Sequence, residues 1–135
     1  MRYRGMKNLL MLSALACLAF LYCRTADAAN WVQLGTSDDE SATLYVDKES
    51  IAGASQNVVR ARTKFLFEKP EAFESKPFSQ MLVYVEYDCS TKRSRMLELT
   101  FDYADGSQET FSLEKEWAPV KAGTLQDESY LYLCR

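Results

Sequence analysis

The chain has 135 residues, 16 basic and 19 acidic side chains, no histidine, and a formal net charge of −3. That length holds one small domain plus a short extra segment. The absence of histidine excludes Ser-His-Asp and Cys-His catalysis, histidine metal ligands and a histidine haem ligand. An acidic chain without a basic block is unsuited to nucleic acid or to anionic lipid.

The first element in chain order is not part of the fold. Residues 1–7 carry Arg2, Arg4 and Lys7 and no acid, and an apolar run follows from Leu9 to Tyr22. Ala26-Asp27-Ala28 then has the small-x-small form that signal peptidase reads. The apolar run is about 14 residues, and a membrane span needs roughly 20. Residues 1–28 are therefore expected to be a secretory signal peptide, and residues 29–135 the exported domain. An uncleaved N-terminal anchor is one alternative. A lipoprotein with Cys17 as the lipidated residue is the other. No second apolar run of spanning length follows, so no stable membrane span is expected after cleavage.

Cleavage removes Arg2, Arg4, Lys7, Arg24 and Asp27, leaving 12 basic and 18 acidic side chains over 107 residues, a net charge of −6. It also removes Cys17 and Cys23, leaving Cys89 and Cys134. In an exported chain two remaining cysteines are expected to pair. The bond would close a loop of about 45 residues, contributing on the order of 4 kcal/mol in the chain-entropy model. Two free buried thiols, or a metal pair, are the alternatives.

Alternation of apolar and polar residues marks the strands. Residues 31–36 read as a short strand, followed by a polar turn. In residues 42–51, Leu44 and Val46 alternate with Thr43, Tyr45 and Asp47, and AGASQN reads as a turn. Residues 58–67 put Val59, Ala61, Thr63, Phe65 and Phe67 on one face and Arg60, Arg62 and Lys64 on the other. EKPEAFESKPF, with Pro70 and Pro77, reads as a longer connection with room for one helical turn. Residues 79–89 group Met81, Val83, Val85, Tyr87 and Cys89 on one face, and Leu82, Tyr84, Glu86 and Asp88 on the other. Residues 95–104 group Leu97, Leu99, Phe101 and Tyr103. Asp105-Gly106 marks a hairpin, a return strand follows, and the chain breaks at Pro119.

The tail differs. Thr124 followed by Asp127 and Glu128 has the form of an N-cap with acids in the first helical turn. On a helix, Cys134 shares a side with Tyr130 and Leu131; a final strand over residues 130–133 is the competing reading. The fold class expected is α+β: an antiparallel sheet of about six strands, with a C-terminal helix packed on one face and disulfide-linked to it. A staple of this kind suits a two-layer domain of this size.

An ordered series of residues resembles a known family. Trp31 comes just after the leader, then TLYVDKESI, then VVRARTKF. YVEYDC with a basic turn follows, then WAPV with a glycine-containing turn, then a terminal cysteine. The series spans the whole mature chain and is similar to the surface-adhesin protein E-like domain of exported bacterial proteins. The resemblance implies an antiparallel sheet with a C-terminal helix joined to it by a disulfide. It also implies adhesion to a host protein.

Candidate sites are few. No phosphate loop, dinucleotide fingerprint or C-x-x-C pair occurs, so no catalytic residue, metal or cofactor is expected. Asp38-Asp39-Glu40 lacks the ligand spacing of a calcium loop and reads as a solvated turn. Glu86 and Asp88 share a strand face, and ion pairing with the bases of the neighbouring strand is the simplest reading. The candidate binding face is Arg60, Arg62, Lys64 and Tyr84, against the plainer reading of an outer sheet face balanced by acids. A host or envelope protein is the partner class expected. A small periplasmic structural or envelope-maintenance protein without host ligand is the other reading. Periplasm and cell surface are both open, and nothing in the sequence specifies an oligomeric state.

Overall fold

A computed structural model describes residues 29–113 and 115–135. The leader expected over residues 1–28, with its alternatives, lies outside them. In chain order the elements are β1 (Trp31–Thr36), β2 (Ala42–Asp47), a 3-10 turn (Lys48–Ser50), β3 (Ala52–Ser55), β4 (Val58–Phe73), β5 (Lys76–Asp88), β6 (Arg93–Tyr103), β7 (Gln108–Ser112), β8 (Ala118–Pro119) and the helix α1 (Leu125–Leu133). All pairings are antiparallel, in the order β1-β2-β4-β5-β6-β7.

The sheet has eight strands rather than about six. The two additional strands are short. β3 pairs with β4, and β8 pairs with β6. Both were expected as breaks in structure, because small residues and proline carry no alternation.

Hydrogen bonding explains where β2 stops short of residue 51. The Asp47 carboxylate accepts from the Glu49 N–H at 3.1 Å, and the Ser50 hydroxyl donates to the Asp47 carbonyl at 2.7 Å. These bonds turn the chain out of the strand. The segment EKPEAFESKPF is not a long connection. It forms the tip of the β4–β5 hairpin, closed by the Phe73–Lys76 pair. Glu74 and Ser75 make the two-residue turn, with φ of 48° and 65°. Pro70 falls where the register shifts between Leu66 and Glu71, so no ladder N–H is missed.

A second irregularity corrects the face of Leu97. Tyr84 pairs with Glu98 but Val85 pairs with Met96, so Leu97 is the extra residue of a bulge. Met96 therefore joins the core, and Leu97 lies with Arg60, Glu86 and Arg95 on the opposite face.

The core occupies one face of the sheet in two parts. Val83, Val85, Tyr87 and Val120 form one cluster, with Tyr130, Leu133 and Cys134 packed against it from the tail. Phe78, Phe101 and Tyr103 form the other, with Phe67, Phe73 and Phe111 around them. Leu44 and Val46 are fully buried on β2, each worth roughly 1.5–3 kcal/mol of transfer free energy.

α1 forms as its cap foretells. Thr124 accepts from the Asp127 N–H at 3.2 Å. At its first turn the helix lies close on β1, where a Cβ on Gly35 would sit 3.4 Å from Glu128. At its end, Cys134 is bonded to Cys89, with the Cα atoms 5.4 Å apart. Of the two neighbours expected beside Cys134, Tyr130 packs inward, while Leu131 is 54% exposed. Among the described residues, no helix is long and apolar enough to cross a membrane.

Candidate binding face

The face away from α1 carries the polar stripe. Strand pairing sets its rows. Arg60 lies opposite Glu86, and Glu86 opposite Arg95. Arg62 lies opposite Tyr84, and Tyr84 opposite Glu98. Lys64 lies opposite Tyr45, and Tyr45 opposite Gln33. Arg60, Arg62, Lys64 and Tyr84 are thus brought onto one surface, as their spacing predicted.

The three bases sit in different surroundings. Arg60 and Arg95 both reach the Glu86 Oε1, each at 3.3 Å. The Glu86 side chain is only 4% exposed, the two arginine side chains 38% and 37%. This carboxylate is enclosed by its partners. Pairing with a β4 base was expected; the second arginine, from β6, was not. Asp88 does not join the network. Its carboxylate accepts from the Ser90 and Thr91 N–H groups at 2.9 and 3.3 Å and shapes the β5–β6 turn.

Lys64 is held by aromatic rings. Its ammonium lies 4.4 Å from the centroid of Trp31 and 5.1 Å from that of Tyr45. Arg60 lies 5.7 Å from the Tyr84 ring, and Arg95 4.7 Å from Trp117. Cations and rings therefore alternate across the face, from Trp31 on β1 to Trp117 before β8.

Arg62 is the exception. It is exposed, and among the described residues its side chain has no carboxylate partner. Its backbone N–H is bonded to the Ser50 hydroxyl at 2.8 Å, which fixes the strand under it. Arg62, Tyr84 and Glu98 line two adjoining open grooves, of about 900 and 230 Å³. The larger continues along Asn30, Glu49 and Ser50. Arg60, Glu86, Arg95 and Trp117 line a third, of about 610 Å³.

Sequence reading missed Trp31, Arg95, Glu98 and Trp117 as parts of this face. The parity of Trp31 with Tyr45 and Lys64 appears only once the β1–β2–β4 register is known. The bulge at Leu97 hides Arg95 from simple alternation, whereas Glu98 keeps the outer parity that its neighbour Leu99 implies. Asp38-Asp39-Glu40 stays a turn, with the Asp39 carboxylate accepting from the Ser37 and Ser41 hydroxyls. Those bonds, first that from Ser41, lower its pKa to about 2. Among the described residues no cluster of three metal-ligating side chains occurs.

The fold has solved counterparts. The structure of Haemophilus influenzae protein E is similar over 82% of this chain and 87% of that one, at 15% identity and a TM-score of 0.55. Its selenomethionine form is similar over 82% and 89%, at 12% identity and a TM-score of 0.54. At such identities the likeness concerns the fold. No curated protein sequence matches. The family described as surface-adhesin protein E matches residues 31–135, which include every described strand, the helix and both bonded cysteines. The chain belongs to the surface-adhesin protein E family, whose members are exported surface proteins.

Proposed function

We propose that residues 29–135, freed of the leader over residues 1–28, are an exported, non-enzymatic adhesion module that binds a protein ligand through the outer sheet face. Arg60, Arg62, Lys64 and Tyr84 are its contact residues. The observation that carries this reading is Arg62: an exposed guanidinium with no acid partner among the described residues, beside Tyr84 in an open groove. Arginine and aromatic rings are the side chains that most often dominate protein interfaces. A free guanidinium presents a planar fork to a carboxylate of the partner. The neighbouring Arg60 and Lys64 are already held by Glu86, Trp31 and Tyr45, so the face is ordered before a ligand arrives. Family membership supports adhesion as the use of that surface.

The test is adhesion of beads coated with the mature protein to epithelial monolayers and immobilised matrix proteins. Wild-type beads should adhere, and the triple variant Arg60→Ala, Arg62→Ala, Lys64→Ala should not, while circular dichroism shows it folded. Adhesion by the folded triple variant at the wild-type level would remove this face from the reading.

A further inference from the structure

One row of the outer face carries two charges that the domain does not use. Arg62, Tyr84 and Glu98 lie side by side on β4, β5 and β6. The rows on either side are internally paired. On one flank Arg60 and Arg95 are both held by Glu86. On the other, Lys64 sits against Trp31 and Tyr45, and Asp102 accepts from the Gln80 and Gln108 amides. Arg62 and Glu98 are exposed, and among the described residues neither side chain has an ion-pair partner.

Nor do they pair with each other. Each lies one strand away from Tyr84, so their Cα atoms are about 9.5 Å apart. The row is therefore a cation, a ring and an anion in sequence, open to a ligand above it.

The surroundings decide which ligand. The groove of about 900 Å³ sets the carboxylates of Asp47, Glu49 and Glu98 against the guanidinium of Arg62. Asp47 is fixed there, accepting from the Asn30 and Glu49 N–H groups at 3.1 Å each. A purely acidic ligand drawn to Arg62 meets three carboxylates. A purely basic one drawn to Glu98 meets Arg62. A ligand with one charge of each sign avoids both penalties, and this is how charge patterns select partners. In an extended chain, side chains two residues apart share a face at about 6.5–7 Å. The reach of long acidic and basic side chains covers the remaining distance to Arg62 and Glu98.

We infer that this row docks an extended protein segment bearing an acidic and a basic side chain two residues apart. The carboxylate lies on Arg62, the cation on Glu98, and the chain between them over the Tyr84 ring. The inference rests on the outer face being the adhesive surface, and adds that the partner's determinant is of mixed charge.

Bead adhesion separates the two statements. Arg62→Ala should lose adhesion, and Glu98→Gln should lose it at least about fivefold, as one charged contact is worth. Both variants should melt like wild type. Were Glu98 only an acid at the rim of a carboxylate-binding site, its removal would raise adhesion instead. Loss in Arg62→Ala with unchanged or increased adhesion in Glu98→Gln would overturn the inference and leave the face standing. Full adhesion by Arg62→Ala would overturn both. A defined probe gives a second readout: an NMR titration of the mature protein with the capped peptide Gly-Glu-Ser-Lys-Gly, beside counterparts carrying two Glu or two Lys. The mixed peptide should shift the amides of Arg62, Tyr84 and Glu98 saturably, and the uniform peptides should bind at least about fivefold more weakly. Equal or tighter binding of either uniform peptide, or no saturable shift along the row, would overturn the assignment.

Discussion

The Tyr130 hydroxyl donates to the backbone carbonyl of Cys89 across 3.1 Å. Four residues after Tyr130, Cys134 is bonded to the Cys89 sulfur. The end of α1 is thus tied twice to the end of β5. The covalent tie closes a loop of 45 residues, for which restriction of the unfolded chain is worth on the order of 4 kcal/mol. Cys134→Ser, or reduction, should lower the melting temperature on the order of 15 °C or more. Tyr130→Phe removes one hydrogen bond and should cost about 1 kcal/mol. Thermal denaturation of the three forms checks both, and ready labelling of Cys89 and Cys134 in native, unreduced protein would contradict the first.

Glu86 is the most buried charge of the outer face. Glu86→Gln leaves two guanidiniums without their carboxylate. Breaking a fully buried pair costs roughly 3–5 kcal/mol. Both arginine side chains here are more than a third exposed, so about 2 kcal/mol is expected. Urea denaturation reads this directly. Arg62→Ala, with no pair to break, should change stability by less than about 0.5 kcal/mol.

The pH dependence has two edges. Hydroxyl and backbone donors from Ser41 and Ser37 hold Asp39 at about 2, and those from Ser107, with Lys76, hold Asp105 at about 2. Their usual value is 3.8, so each stabilises the fold above that pH and loses its contribution between 3.8 and about 2. At the alkaline edge, burial raises Tyr87 to about 12, and the bond to Glu109, with burial, raises Tyr103 to about 12. Raised phenols stabilise below 10 and lose that contribution as pH rises to about 12. Melting temperature should therefore fall at both edges. The double variant Asp39→Asn, Asp105→Asn should flatten the acid edge alone.

The β4–β5 hairpin turns on Glu74 and Ser75, both at positive φ, where side chains cost roughly 1–2 kcal/mol each. Glu74→Asn with Ser75→Gly supplies the residues such a turn favours. It should stabilise the domain by about 1 kcal/mol, measured by urea denaturation; a loss of stability would show a different turn.

Much of the fold was legible because alternation is a strong signal on long amphipathic strands. Residues 58–67 and 79–89 announced their faces, and Thr124 announced the helix. The bulge at Leu97 was not legible: one inserted residue changes faces without leaving a mark on composition. The Glu74-Ser75 turn was hidden because neither residue is glycine and Pro70 and Pro77 suggested a break. The bases of the binding face were legible as a stripe. Their partners were not, because Arg95, Trp31 and Trp117 reach the face only through cross-strand register and a loop.

The central claim is that Arg62 anchors a ligand on the outer face. The most direct measurement compares bead adhesion for Arg62→Ala with that for Lys121→Ala, an equal charge loss in the exposed loop before α1. Loss of adhesion by more than tenfold in Arg62→Ala alone, with both variants melting like wild type, is the predicted result. Equal adhesion of the two variants would contradict it.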